Sequence, residues 1–126
     1  MLTSVAAIAA GAALGALLRW GLATRLNPLL PAMPLGTLVA NLLGGFAVGV
    51  AVALLAQRPD WPPQVRLFVV TGLLGGLTTF STFSAEVVAQ LQDGRFSWAL
   101  ATAGAHVFGS LLLTALGIAT VRWLSS

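Results

Sequence analysis

The chain has 126 residues, which is enough for one domain at most. Hydrophobic residues make up 58% of it and charged residues only 7%, against about 25% charged in an average soluble domain. So few charges cannot cover the surface of a soluble domain, and the composition therefore predicts a membrane protein. The net charge is +3, but the arginines are scattered singly and form no basic stripe, which argues against a nucleic-acid partner.

The hydrophobic segments predict four membrane-spanning helices. A helix needs about 20 apolar residues to cross about 30 Å of hydrocarbon. Segments of this kind cover approximately residues 3–24, 35–56, 64–92 and 96–123. The first resembles a signal peptide in its alanine content, but no positive charge precedes it, so we interpret it as a span. We expect a single all-α domain over residues 1–126, with no room for a soluble catalytic domain.

The arginines are almost evenly divided between the two ends of these helices. Four spans place both termini on one side of the membrane, and that side carries Arg58, Arg66 and Arg122. The other side carries Arg25 and Arg95, and also the arginine at position 19 if its side chain reaches outward. The positive-inside rule needs an excess of basic residues to fix orientation. The balance therefore predicts insertion in both orientations, and the alternative is a weak bias set by other features.

The third span contains a segment that is poorly suited to a continuous helix. Residues 72–84 include three glycines and five residues with hydroxyl groups, and each glycine costs a helix about 1 kcal/mol relative to alanine. We expect a break between two half-helices at about residues 64–74 and 81–91. Unwound backbone at membrane depth needs protein or a water-filled cavity around it, and its free carbonyl groups suit a cation. The alternative is a glycine-rich kink that packs against a neighbouring helix.

Polar side chains inside the spans mark candidate functional positions. Thr37 and Asn41 are one turn apart, and Asn41 is the strongest candidate because its amide must find a partner. His106, Ser110 and Thr114 recur every four residues and form one stripe on the fourth helix, which suggests a pore wall. The alternatives are an interhelical hydrogen bond for the asparagine, a structural histidine, and hydroxyl groups that bond to their own helix.

Phe80, Phe83 and Glu86 follow one another at intervals of three residues in the third span. An aromatic ring edge is electropositive and attracts an anion. Edges beside hydroxyl groups and an amide, with no lysine or arginine, would bind an anion weakly enough to release it. Packing is the alternative for the two phenylalanines. For the glutamate the alternatives are a proton carrier, a gate, or a side chain that simply reaches water.

No pattern in the sequence indicates an enzyme. The chain has no cysteine, which excludes thiolate metal sites and cysteine nucleophiles. It contains neither a phosphate-binding glycine motif nor a serine nucleophile elbow. We therefore expect no catalytic residues and no organic cofactor.

Two segments resemble the Fluc (CrcB) family of bacterial fluoride channels. They are Gly-Gly-Leu-Thr-Thr-Phe-Ser-Thr-Phe-Ser at residues 75–84 and Gly-Thr-Leu-Val-Ala-Asn-Leu-Leu-Gly at residues 36–44, and Gly-Ala-Leu-Leu-Arg-Trp at residues 15–20 fits the same pattern. The resemblance implies a fluoride-selective channel that exports fluoride passively across the bacterial inner membrane and confers fluoride resistance. It also implies an antiparallel, dual-topology homodimer with two pores, each drawing residues from both subunits.

The resemblance also assigns a fluoride pathway. Asn41 would donate to fluoride, and Phe80 and Phe83 would present their ring edges to it. A polar track would continue the pathway along Thr37, Ser110 and Thr114. The central end of the phenylalanine path would be surrounded by Ser81, Thr82 and His106.

Four further residues receive roles by the same resemblance. Glu86 would lie at one end of the pore, and Arg19 would lie near an aqueous vestibule. A structural sodium ion at the dimer centre would be bound by the backbone carbonyl groups of Gly75 and Thr78 from each subunit.

Two other functions remain open. A small dual-topology multidrug or cation exporter would need a membrane-embedded glutamate in the first span, and that span has none. A structural subunit of a larger membrane complex would need neither a polar stripe nor a break in a span.

Overall fold

The computed structural model describes all 126 residues and is entirely helical apart from short links. Helix α1 covers Leu2–Leu26, and a 3₁₀ turn follows it at Asn27–Leu29. Helix α2 covers Leu35–Ala56. Four segments of the chain are helical, long and apolar enough to cross a membrane, which confirms the predicted all-α membrane protein with four spans.

The third span consists of two helical parts. The first part, which we call α3, combines an α-helical turn at Pro63–Arg66, a π-helical stretch at Leu67–Leu74 and a short turn at Gly75–Leu77. The second part, α4, covers Phe80–Gln92. Helix α5 covers Phe96–Ser125 and forms the fourth span.

The ends of the helices follow from local chemistry. Pro34 precedes α2 and Pro63 opens α3, since proline lacks the N–H group that the first turn of a helix does not use. The Asn27 side chain accepts hydrogen bonds from the N–H groups of Gly36 at 2.7 Å and Thr37 at 3.3 Å. These bonds satisfy donors at the start of α2 that have no partner within the helix.

Glycines bring the helices into backbone contact in three pairs, α1 with α3, α2 with α5, and α1 with the start of α2. A methyl group added at Gly15 would meet the carbonyl oxygen of Leu73 and would lie 2.7 Å from the Leu77 nitrogen. One added at Gly49 would meet the carbonyl oxygen of Thr114. Small residues at such contacts let helices approach closely in lipid, where packing rather than the hydrophobic effect drives association.

Gly15→Ala is expected to destabilise the protein, because its methyl group would collide with backbone that cannot move alone. Overpacking of this kind costs about 1–3 kcal/mol. Gly21→Ala is the matched control on the same helix, since nothing lies within 4 Å of the added carbon. Thermal unfolding in detergent should show a lower midpoint for Gly15→Ala only, and equal midpoints would contradict this packing.

The helical backbone of the third span is interrupted at Thr78 and Thr79, which are both extended, with ψ angles of 153° and 116°. The first helical part ends at Leu77, three residues beyond the approximate end that the sequence predicts, and the interruption lies within the gap between the two predicted half-helices. Gly72 and Gly76 stay helical because they pack against the backbone of α1 near Ala12. The interruption instead lies at the two threonines, and the Thr79 hydroxyl caps α4 by accepting a hydrogen bond from the Thr82 N–H at 3.1 Å.

Candidate functional site

A cavity of about 410 Å³ lies where α2, α5 and the interruption of the third span meet. Its wall includes six of the ten residues that the family resemblance assigns to a fluoride pathway. These six are Asn41, Phe80, Phe83, His106, Ser110 and Thr114. Thr78 and Thr79 add the extended backbone of the interruption to the same wall, and no lysine or arginine contributes to it.

The Asn41 side chain pairs with both backbone groups of Thr79. Its Oδ1 accepts a hydrogen bond from the Thr79 N–H at 2.7 Å, and its Nδ2 donates to the Thr79 carbonyl at 3.0 Å. The second Nδ2 hydrogen is donated to Nδ1 of His106 at 3.0 Å. The amide thus replaces the hydrogen bonds that Thr79 loses by leaving the helix. Both amide hydrogens have protein partners in this arrangement.

His106 presents a buried donor without a partner. Its Nδ1 accepts from Asn41, so the ring carries its hydrogen on Nε2. The side chain is 3% exposed, and Nε2 has no hydrogen-bond partner in the chain. A buried N–H group without an acceptor is costly, so this atom marks a place where an acceptor such as an anion would complete the site.

Phe83 and Phe80 extend the site from His106 toward the surface of the subunit. The ring centroid of Phe83 lies 4.5 Å from that of His106. Phe80 and Phe83 meet edge to face, with centroids 5.4 Å apart and an interplanar angle of 70°. Phe83 is 8% exposed, whereas Phe80 is 76% exposed, so one wall of this aromatic path is open in a single copy.

Two of the predicted hydroxyl groups point to other partners. The Thr114 hydroxyl donates to the Gly45 carbonyl at 2.9 Å and so joins α5 to α2. Thr37 is 2% exposed and lies outside the cavity wall, where its hydroxyl donates to Oε2 of Glu86 at 2.6 Å. Thr37 and Glu86 therefore form a separate polar pair beside the cavity.

Ser81 and Thr82 lie in the first turn of α4 and outside the cavity wall. The Ser81 hydroxyl is 3.3 Å from the Thr79 hydroxyl, and the Thr82 N–H donates to that same Thr79 oxygen. Both residues therefore contact the Thr79 hydroxyl, which caps the N-terminus of α4.

The carbonyl groups around the interruption differ in their partners. The Gly76 carbonyl accepts a hydrogen bond from Nε of Arg19 at 3.0 Å, which places Arg19 at the end of α3. The N–H groups that would reach Gly75 and Thr78 in a continuous helix belong to Thr79 and Thr82. Both are committed to side-chain oxygens instead, as described above.

A metal ion would depend on such backbone oxygens, because no three His, Asp or Glu side chains lie together. Carbonyl oxygen is the ligand type that hard cations prefer, so the carbonyl groups of Gly75 and Thr78 fit a cation of that kind.

Two buried side chains near the Thr37–Glu86 pair have no role in the sequence-based predictions. Gln90 is 4% exposed and Thr102 is fully buried, and the Gln90 amide donates to the Thr102 hydroxyl at 2.9 Å. Gln90 follows Glu86 by one helical turn. This i, i+4 spacing was the sequence signal that could have placed Gln90 beside the glutamate.

Comparisons with known proteins agree over nearly the whole chain. The profile of the family described as CrcB-like protein, Camphor Resistance (CrcB), matches residues 6–118. The chain is 58% identical over 124 residues to the fluoride-specific ion channel FluC of Pseudomonas paraeruginosa, covering 98% of each protein. It is 56% identical to the FluC of Nitrosomonas europaea, covering 97% of this chain and 96% of the relative. The resemblance found in the sequence is confirmed, and the chain belongs to the CrcB family.

Proposed function

We propose that this protein is a fluoride-selective channel that exports fluoride passively across the bacterial inner membrane and so confers fluoride resistance. Its relatives are named fluoride-specific ion channels. The observation that carries the proposal is a cavity with aromatic edges and no cationic side chain, whose wall includes His106 with its unpartnered Nε2–H. Fluoride enters cells as uncharged HF and is trapped as the anion, so a negative-inside potential would drive it out through such a path.

The site chemistry suits an anion that must pass rather than stay. Ring edges of Phe80 and Phe83, the His106 N–H and the Ser110 hydroxyl offer only partial positive charges. Donors of this strength compensate for lost hydration without the deep binding of a full charge, which conduction requires. Asn41 would contribute by turning toward fluoride the N–H that it otherwise donates to His106.

The remaining pathway residues extend this route in the proposal. Ser110 and Thr114 continue the polar wall along α5, and Ser81 and Thr82 surround the central end of the phenylalanine path. Thr37 belongs to the same polar track, Glu86 lies at one end of the pore, and Arg19 lies near the vestibule.

The functional unit in this proposal is an antiparallel, dual-topology homodimer with two pores. Two observations support it. Phe80 is 76% exposed in one copy, so a second copy would close the aromatic path. The evenly divided arginines give no clear preference for either orientation, which two opposite subunits need. Each pore would then draw residues from both subunits.

A structural sodium ion at the dimer centre is part of the same proposal. The carbonyl groups of Gly75 and Thr78 would hold it, because their helical donors have other partners. The Gly76 carbonyl is taken by Arg19, which argues for the first two as ligands. A bound cation would neutralise the exposed carbonyl dipoles and join the two copies.

Transport by the purified protein distinguishes this function from the two alternatives. Liposomes that contain only this chain should release fluoride down its gradient. A multidrug or cation exporter would instead move organic cations in response to a proton gradient. A structural subunit would transport neither, so the absence of fluoride release from well-folded dimers would refute the channel.

Phe80→Ile and Phe83→Ile should each reduce fluoride flux by roughly tenfold while leaving the dimer intact. Isoleucine retains apolar bulk but lacks the electropositive edge, and interactions of ring edges are worth about 0.5–1.5 kcal/mol. Flux is measured with a fluoride electrode, and dimer content by size-exclusion chromatography. Phe108→Ile is the control, since Phe108 is 73% exposed on α5 and outside the cavity wall. Full flux in both pathway variants would show that Phe80 and Phe83 contribute only packing and do not interact with fluoride.

Thr79→Ala should weaken the sodium site, because losing the hydroxyl removes the cap that supports the extended backbone at the start of α4. The loss of such a cap costs about 1 kcal/mol. Thr79→Ser keeps the hydroxyl and is the control, and Thr78→Ser should keep the ion because its ligand is a backbone atom. The measurement is the dimer fraction in sodium compared with a bulky organic cation. Equal sodium dependence in Thr79→Ala and Thr79→Ser would contradict the assignment.

A further inference from the structure

A second polar cluster lies beyond the cavity, between α4, α5 and the link from α1 to α2. Nε2 of Gln90 donates to the Ala32 carbonyl at 2.9 Å and to the Thr102 hydroxyl at 2.9 Å. The Ala32 carbonyl can only accept, so the orientation of the Gln90 amide is fixed. Its Oε1 is consequently turned away from both partners, and it is buried without any hydrogen bond.

Glu86 leaves a second buried oxygen without a donor. Thr37 satisfies only Oε2 of this carboxylate, at 2.6 Å, and Oε1 has no partner. Glu86 and Gln90 are four residues apart on α4, so they lie on one face with Cβ atoms about 5–6 Å apart. Two buried oxygen atoms on one face of α4 are therefore hydrogen-bond acceptors without a donor.

The chemistry of the missing ligand follows from these two oxygens. With Glu86 ionised, both groups only accept hydrogen bonds, which excludes an anion as the ligand. A ligand that serves both must be small and must offer two hydrogens. A water molecule meets these requirements and spans about 4.5 Å between two acceptors at ordinary O–H···O distances, because its two hydrogens point roughly 105° apart. Buried waters characteristically join polar groups that otherwise have no partner.

We propose that Glu86 and Gln90 hold one buried water molecule, which donates one hydrogen to Oε1 of each. Through Gln90 this water connects the carboxylate to the Ala32 carbonyl and to Thr102 on α5. The bridge fixes the second oxygen of Glu86 toward Gln90 and away from the cavity. Gln90 is in this sense a positioning residue for the carboxylate. Any effect of this positioning on fluoride conduction rests on the proposed function, whereas the water site does not.

The water itself is tested by crystal structures of the dimer that resolve ordered solvent. Density at hydrogen-bond distance from both Oε1 atoms is expected in the unmodified protein and in Thr102→Val, which leaves both acceptors in place. Gln90→Leu should lose this density. Should Gln90→Leu fail to fold, Glu86→Gln serves instead, because its new amide can donate directly to Gln90 and displace the water. Three results would overturn the proposal: no density between the side chains, density that persists in Gln90→Leu, or a cation in its place.

The positioning role is tested by fluoride flux in a double-mutant cycle. Gln90→Leu should lower flux severalfold in the unmodified background and have no further effect in Glu86→Ala, because it acts through the carboxylate. Independent, multiplicative losses would refute positioning. A protein that shows the water density but conducts no fluoride would refute the proposed function and leave the water site standing.

Discussion

Asn41→Asp is expected to abolish fluoride flux in liposomes. A carboxylate would stand beside the path of an anion, and two like charges about 4 Å apart repel by about 4 kcal/mol at an effective dielectric constant near 20. A barrier of that size corresponds to roughly a thousandfold loss of rate. The substitution also removes the donors that reach the Thr79 carbonyl and His106.

Gln92→Glu makes the same change from amide to acid at the exposed end of α4 and serves as the control. It should conduct at close to the original rate. Asn41→Asp dimers that match this rate would exclude Asn41 from the fluoride pathway.

Biasing the insertion of the chain should eliminate its function in cells. Two or three arginines added to the link between α2 and α3 should hold that link, and both termini, in the cytoplasm. The same addition beside Arg95 should force the opposite orientation. Each biased form alone should leave cells sensitive to fluoride, because two antiparallel copies cannot form.

Co-expression of the two biased forms provides the control for this experiment. Together they should restore growth in fluoride, which shows that the added arginines do not damage the subunit itself. Protection of cells by one biased form alone would contradict the antiparallel dimer.

The membrane-spanning architecture could be predicted from the sequence because its signals are local. Runs of apolar residues of the required length are separated by prolines and charges, and each of the four helices is found where such a run lies. The extended residues of the third span could not be placed in this way. Glycine propensity places the break only approximately, between residues 74 and 81, whereas in the structure Gly75 and Gly76 stay helical and Gly76 packs against α1.

The hydrogen-bond partners of the site residues could not be predicted from the sequence. A polar residue in an apolar helix predicts that some partner exists, yet Asn41 pairs with Thr79 and His106, which are 38 and 65 residues away. The Gln90–Thr102 contact was missed because a glutamine near a span end is ordinarily exposed to water. Only the packing of α4 against α5 and the α1–α2 link buries it.

The most direct test of the channel is whether liposomes that contain this protein alone release fluoride electrogenically, that is, only when a counter-ion can leave as well. Vesicles loaded with potassium fluoride are placed in a potassium-free, fluoride-free medium, and external fluoride is followed with an electrode. Passive conduction moves net charge, so release should be negligible until valinomycin lets potassium leave with fluoride, and rapid thereafter. Vesicles with chloride in place of fluoride should release almost none of it. Fast fluoride release without valinomycin, or none after it, would contradict a fluoride-conducting channel.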